Sequence, residues 1–262
     1  MGKTKQERLG EIRYNKYNTP MKIIEYKSAK SVTVEFQDEY KFKVNTSYGN
    51  FKKGEITNSY DKTVYGYGYV GEGKYNRKDN HNRYEKWSKM IQRCYDPYEL
   101  NKRPTYINCF VCDEWLNFQN FAKWYEENYY EVKDEIMALD KDILYKNNKI
   151  YSPKTCIFVP KRINSLFIRS DASRGEYPIG VSYYYKKDRD WERLMVSCHI
   201  YENNRTKNKF LGYFSLDKPF QAFYCYKQFK ENYIKQVADE YKDLIPKKLY
   251  DAMYKYEVEI ND

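Results

Sequence analysis

Few residues in this chain are suited to chemistry, and most of them sit in its middle third. Cys109 and Cys112 form a Cys-x-x-Cys pair, with Cys94 upstream and Cys156 downstream. Thiolates at that spacing supply half of a tetrahedral zinc site, and Cys94 and Cys156 are the candidates to close it. A structural Zn²⁺ would stabilise a unit whose apolar core is thin. The alternative is buried thiols acting as small apolar residues. Cys198 and Cys225 read as core residues of a later segment. There are 2 histidines, His81 and His199; His81 lies in a polar, basic stretch and reads as a solvated residue before a general base. Lys161, Arg162, Arg169 and Arg174 fall within KRINSLFIRSDASR, which either tracks a phosphate backbone or is an ordinary solvated connector.

Charge widens the case for a polyanion. The chain has 47 basic and 37 acidic residues, a net charge of +10, and each cation near a phosphate displaces a condensed counterion. Its 32 tyrosines suit nucleic acid better than lipid, because rings stack on bases. A low-GC coding bias toward Lys, Tyr and Asn would produce the same composition. No apolar run reaches the roughly 18 residues a spanning helix needs, so no membrane is expected. The start, MGKTKQERLGEIRYNKY, lacks an apolar signal region. Cysteines in such a chain argue for thiols or metal over a disulfide framework.

These residues need elements to position them. MKIIEY, SVTVEF and YKFKV alternate apolar and polar residues with period two, so residues 1–72 predict a small β module, barrel-like or a curled sheet. The polar, basic GEGKYNRKDNHNR predicts a linker over 73–83. Tyr84, Trp87, Ile91 and Cys94 then share one helical face, and Phe118, Phe121, Ala122 and Tyr125 repeat the pattern. Residues 137–167 read as hairpin, turn and short helix. PIGVSYYYKK, WERLMVSCHI and NKFLGYF predict three strands, followed by an amphipathic helix carrying Phe220, Phe223, Tyr226, Phe229 and Tyr233. A last helix is expected within 241–262.

The strings YEKWSKMIQRCYDP, YINCFVCDEWLNFQNFAKW, LDKDIL and YSPKTCIFVPKRIN, in that order, resemble the HNH endonuclease-like proteins of bacteriophages over residues 84–170. The resemblance implies a β-hairpin on a helix gripping one divalent metal. Asp140, on the first strand, and Asn164, on the helix, would hold Mg²⁺ or Mn²⁺. The family's general base is a His after the Asp, and here that position is Lys141. A lysine is a poor base at neutral pH unless burial lowers its pKa. Asp142 is the second candidate base, or a second metal ligand, since strand alternation would put it on the face of Asp140.

Residues 174–240 resemble the ethylene-response-factor type of DNA-binding domain, through Ile179-Gly180-Val181, Trp191, Leu211-Gly212-Tyr213-Phe214, Ala222 and Tyr226. The resemblance implies a three-stranded sheet set in the major groove of duplex DNA. Tyr183, Tyr185, Lys187, Arg189, Trp191 and Arg193 are the candidate contacts. For Trp191 the alternative is a core ring under the helix, and for Lys187 a plain turn charge.

The whole predicts a multidomain α+β protein: the N-terminal β module, a central ββα-metal unit with flanking helices, and a C-terminal three-stranded sheet plus helix. The two resemblances imply a homing-type DNA endonuclease of phage or mobile-element origin, acting in the bacterial cytoplasm. The competing reading is a DNA-binding regulator or anti-host factor that keeps the fold without cleavage. The tyrosine-rich N-terminal module could also engage a host protein.

Overall fold

Period-two alternation in the first third of the chain produces a sheet. α1 (Lys5–Arg8) leads into β1 (Ile12–Tyr14), β2 (Pro20–Ser28), β3 (Ser31–Phe36) and β4 (Lys43–Thr46), an antiparallel meander in the order β1-β2-β3-β4. Met21, Ile23, Val32, Val34 and Phe36 fill its covered face with Phe51 of α2 (Tyr48–Lys53) and Ile56. Ser47 caps α2, its hydroxyl accepting from Asn50 N at 3.1 Å, and Gly54 ends it in the left-handed region at φ 71°. A Cβ on Gly54 would stand 2.8 Å from the Tyr14 carbonyl oxygen.

The computed structural model describes residues 5–168, 175–202, 205–260 and 262. With 34% helix and 27% strand the protein is mixed α+β. The expected barrel-like closure is corrected: the N-terminal sheet is open. Four strands cannot curl far enough to meet, since a filled barrel takes about eight, and the edge strands β1 and β4 span only 3 and 4 residues. By contacts the chain divides into one unit of Met1–Glu127 with Lys149–Pro153 and another of Asn128–Asn148 with Lys154–Asp262. Residues 84–170, read as one unit, contribute to both.

In the first unit the expected linker over 73–83 is divided: Tyr75 is bonded to a helix through Gln119, and residues 81–83 belong to a helix of their own. Tyr75 N donates to Gln119 Oε1 at 3.1 Å, and Gln119 Nε2 donates to the Tyr75 and Val70 carbonyls. His81 opens α3 (His81–Tyr95), followed by α4 (Pro97–Lys102), β5 (Phe110–Val111), α5 (Asp113–Leu116) and α6 (Phe118–Asn128). The predicted helical faces hold: Trp87, Ile91 and Cys94 are buried on α3, and Phe118, Phe121, Ala122 and Tyr125 on α6. Trp87 Nε1 satisfies the Trp115 carbonyl at 2.7 Å. The chain then forms β6 (Met137–Asp140) in the second unit and returns for β7 (Ile150–Tyr151), which pairs in parallel with β5.

In the second unit β6 pairs antiparallel with β8 (Ile157–Pro160), and α7 (Lys161–Ser165) packs against both strands. β9 (Val181–Lys186), β10 (Trp191–Glu202) and β11 (Arg205–Phe214) form a three-stranded antiparallel sheet with β10 central. α8 (Pro219–Glu240) covers one face, burying Val181, Leu194, Val196 and Cys198 against Ala222 and Tyr226. α9 (Lys247–Tyr254) follows and packs on α8. Among the described residues no helix is long and apolar enough to cross a membrane.

Candidate nucleic-acid interface and acidic site

Alternation along β10 sorts the C-terminal sheet into two faces. Leu194, Val196 and Cys198 point at α8, so Trp191, Arg193, Met195 and Ser197 point away from it. Residues directly paired across strands share a face, which brings Lys186 beside Trp191, Tyr184 beside Arg193, Tyr213 beside Met195 and Phe210 beside Ser197. The result is an aromatic patch on the open face. Ring centroids of Trp191 and Tyr213 lie 4.8 Å apart at 75°, and Tyr184 lies 5.1 Å from Tyr213 and 6.1 Å from Trp191. Phe210 is 4.8 Å from Tyr213 and exposed. Burial, with the Tyr184 hydroxyl beside it, pushes the Tyr213 phenol up.

Cations frame this patch. The Arg193 guanidinium lies 5.0 Å from the Trp191 ring centroid, a cation–π distance. Tyr184, Lys186, Arg189, Trp191 and Tyr213 line a pocket of about 270 Å³. Lys187 and Arg189 sit in a 3₁₀ turn, Lys187–Arg189, that joins β9 to β10. The nearby carboxylates are engaged: Asp188 lies 3.7 Å from Lys186 Nζ, while Asp190 and Glu192 accept from the Tyr185 and Tyr183 hydroxyls at 3.1 and 2.8 Å.

Of the expected contacts, Trp191, Arg193 and Arg189 come together, and Trp191 is not a ring under the helix. Tyr183 and Tyr185 do not join them. They pair with Leu194 and Glu192 and share the face of the helix-covered residues, while Tyr184, between them, takes the open face. In a run of three tyrosines a one-residue change of register exchanges the faces. Tyr184, Lys186, Phe210 and Tyr213 were missed; the available signal was the alternation of Leu194 and Val196 one strand away. Lys161 is exposed on α7. Arg162 is held in an ion pair with Glu240 and lies over the Tyr201 and Tyr241 rings at 5.4 and 5.5 Å. Arg169 and Arg174 lie outside the described residues.

The acidic site begins where β6 ends. Asp140 Oδ1 accepts from the backbone N–H groups of Asp142 at 2.9 Å and Ile143 at 2.7 Å, an Asx turn that starts the following loop. Because the strand stops there, alternation does not carry on to Asp142, which sits in the turn. Burial, then the Asp142 carboxylate, pushes the Asp140 carboxyl up to about 6. Lys141 is buried, and its Nζ donates to Asp142 Oδ2 at 2.8 Å. Asn148 Nδ2 donates to the Lys141 carbonyl at 2.7 Å and ties the loop back on itself. Nothing in the spacing pointed to that residue. Asn164 lies on α7, which packs against β6.

All 6 cysteines are thiols. Cys94, Cys109 and Cys112 belong to the first unit and Cys156 to the second; burial pushes the Cys112 thiol up. Among the described residues no group of three or more His, Cys, Asp and Glu side chains is arranged to hold a metal ion. His81 is exposed at the start of α3, and His199 is exposed on the open face of β10, opposite Asn208.

Compared with models of known families, with curated proteins and with solved structures, the chain matches none.

Proposed function

We propose that this protein binds duplex DNA through the open face of its C-terminal sheet and hydrolyses phosphodiester bonds at the Asp140 site, as a homing-type nuclease of the HNH kind. The observation that carries the binding half is that face: Trp191, Tyr184 and Tyr213 lie among Lys186, Arg189 and Arg193, with α8 holding the sheet rigid from behind. A three-stranded sheet of this kind can enter a major groove, and a net charge of +10 favours a polyanion.

The hydrolytic half rests on β6, β8 and α7, read as a ββα-metal unit. Its candidate donors are hard oxygens: the carboxylates of Asp140 and Asp142 and, from α7, the amide that Asn164 would supply. Burial beside the Asp142 carboxylate pushes the Asp140 carboxyl up to about 6, a cost that a cation held by the two carboxylates would relieve. Bound there, Mg²⁺ or Mn²⁺ would polarise the phosphate and stabilise the leaving oxygen. Lys141, ion-paired with Asp142, neutralises charge in its ammonium form and cannot take a proton from water.

A specific observation favours a second reading, DNA binding without cleavage. Lys141 and Asp142, the two candidate bases, are engaged with each other, so Asp142 Oδ2 holds an ammonium in the place where a base would hold water. Nicking of a supercoiled plasmid in Mg²⁺ and Mn²⁺ separates the readings. Nicking by wild type, lost in Asp140→Ala and unchanged or increased in Lys141→His, is the expected result. Should Lys141→Met cleave as wild type does while Asp142→Asn is inactive, the base is Asp142. If neither wild type nor Lys141→His nicks while duplex binding persists, the protein is a binder only.

A further inference from the structure

We propose that the pocket lined by Tyr184, Trp191 and Tyr213 takes one nucleobase that is out of the helical stack, so that the sheet prefers DNA with an unpaired nucleotide to a perfect duplex. This rests on the nucleic-acid reading of the sheet and adds to it the kind of site bound. The argument starts from ring geometry. Trp191 stands at 75° to Tyr213 and 78° to Tyr184, so the packed rings make no flat platform, and with Lys186 and Arg189 they line walls of a pocket of about 270 Å³. A base inside a duplex has both faces covered by its neighbours and can offer such walls only an edge. An unpaired base offers a whole π-face and can stack on the ring surface that lines the pocket.

The polar lining selects the charge of the occupant. Aromatic boxes also bind quaternary ammonium groups, through the negative faces of their rings. Here the remaining walls are Lys186 and Arg189, which repel a cation and attract a phosphate. Among the flanking acids, Asp188 is drawn to Lys186, and Asp190 and Glu192 accept tyrosine hydroxyls from Tyr185 and Tyr183. An occupant that is aromatic at one end and anionic at the other matches this arrangement, and a nucleotide is such a molecule. Arg193 stacks on Trp191 at 5.0 Å from the ring centroid and stiffens that wall.

The test uses the full chain and three labelled probes: a duplex, the same duplex with a single unpaired thymidine, and the corresponding single strand. Fluorescence anisotropy should show the bulged duplex binding about tenfold more tightly than the perfect one, the size of one base–ring stack. Trp191→Ala and Tyr213→Ala should weaken binding of the bulged duplex more than of the perfect one and so erase that difference, and Tyr183→Ala, on the other face, should keep it. A second readout needs no truncated side chain. Trp87, Trp115 and Trp124 are buried, so oligo(dT) should quench only the emission of Trp191, and Trp191→Phe should remove the quenching. Equal affinity for bulged and perfect duplexes, with no quenching, overturns the pocket and leaves duplex binding standing. Failure to bind any of the three probes overturns both.

Discussion

Lys230 shows what one residue can cost. It lies on the inward face of α8, between Tyr226 and Tyr233 in the buried stripe, and only 9% of it is exposed. Burial pulls its amine below the usual lysine range, and the neighbouring Cys198 offsets part of that shift. Among the described residues no acceptor takes a hydrogen bond from its Nζ. A lysine whose folded pKa is depressed charges more easily unfolded than folded. Its penalty is therefore full at pH below the folded pKa and disappears as pH rises through the unfolded value, about 10.4. Lys230→Met should stabilise the protein at pH 7 by about 1–3 kcal/mol, and the gain should shrink toward pH 10. Urea melts at the two pH values measure both quantities. A less stable Lys230→Met would mean that the amine has a favourable partner in the fold.

At the scale of elements, Gly180 fixes how β9 enters the sheet. It has φ +76°, and an added Cβ would sit 2.1 Å from Tyr226 Cδ2, inside a ring packed in the core. Its carbonyl also accepts from Ser197 N at 3.0 Å, which ties the segment to β10. Gly66 has the same φ with nothing within 4 Å of the added Cβ. The pair separates backbone strain from collision. Gly66→Ala should cost about 1 kcal/mol, whereas Gly180→Ala should cost about 2–4 kcal/mol, because strain and overpacking add. Thermal or urea unfolding of the two variants checks this. Equal losses would show that the Tyr226 ring moves aside freely and does not set the approach of β9.

At the scale of the whole molecule, charge decides how binding responds to salt. The chain holds 47 basic and 37 acidic residues, but many of the surface lysines are already paired with carboxylates, as in Lys74–Glu126, Lys89–Glu85 and Lys247–Asp251. Net charge thus overstates the number of cations available to phosphate. If Arg189 and Arg193 are the contacts, together with Lys186 exchanging Asp188 for a phosphate, the slope of log affinity against log salt on duplex DNA should be about −3. Lys186→Met and Arg193→Met should each reduce it by about one. Titrations across a range of salt concentrations measure the slope. A steep slope that neither substitution alters would put the phosphate contacts on another surface.

Local periodicity made much of this protein legible in its sequence alone. Alternation marked β2 and β3, three- and four-residue spacing marked the buried faces of α3 and α6, and the order of strands β9, β10 and β11 before α8 could be read directly. These patterns are set by how neighbouring side chains project from one element, so they survive without knowledge of the rest. Other features depend on segments far apart in the chain. β5 and β7 are 2 residues each, too short to carry a period, and their parallel pairing joins residues about forty positions apart. Which of Tyr183, Tyr184 and Tyr185 faces away from α8 follows from the register against Leu194, not from the tyrosines. The burial of Lys141 and Lys230 likewise contradicts the preference of their side chains for water. Tertiary packing decided these, because a face is assigned only when another element arrives to cover it.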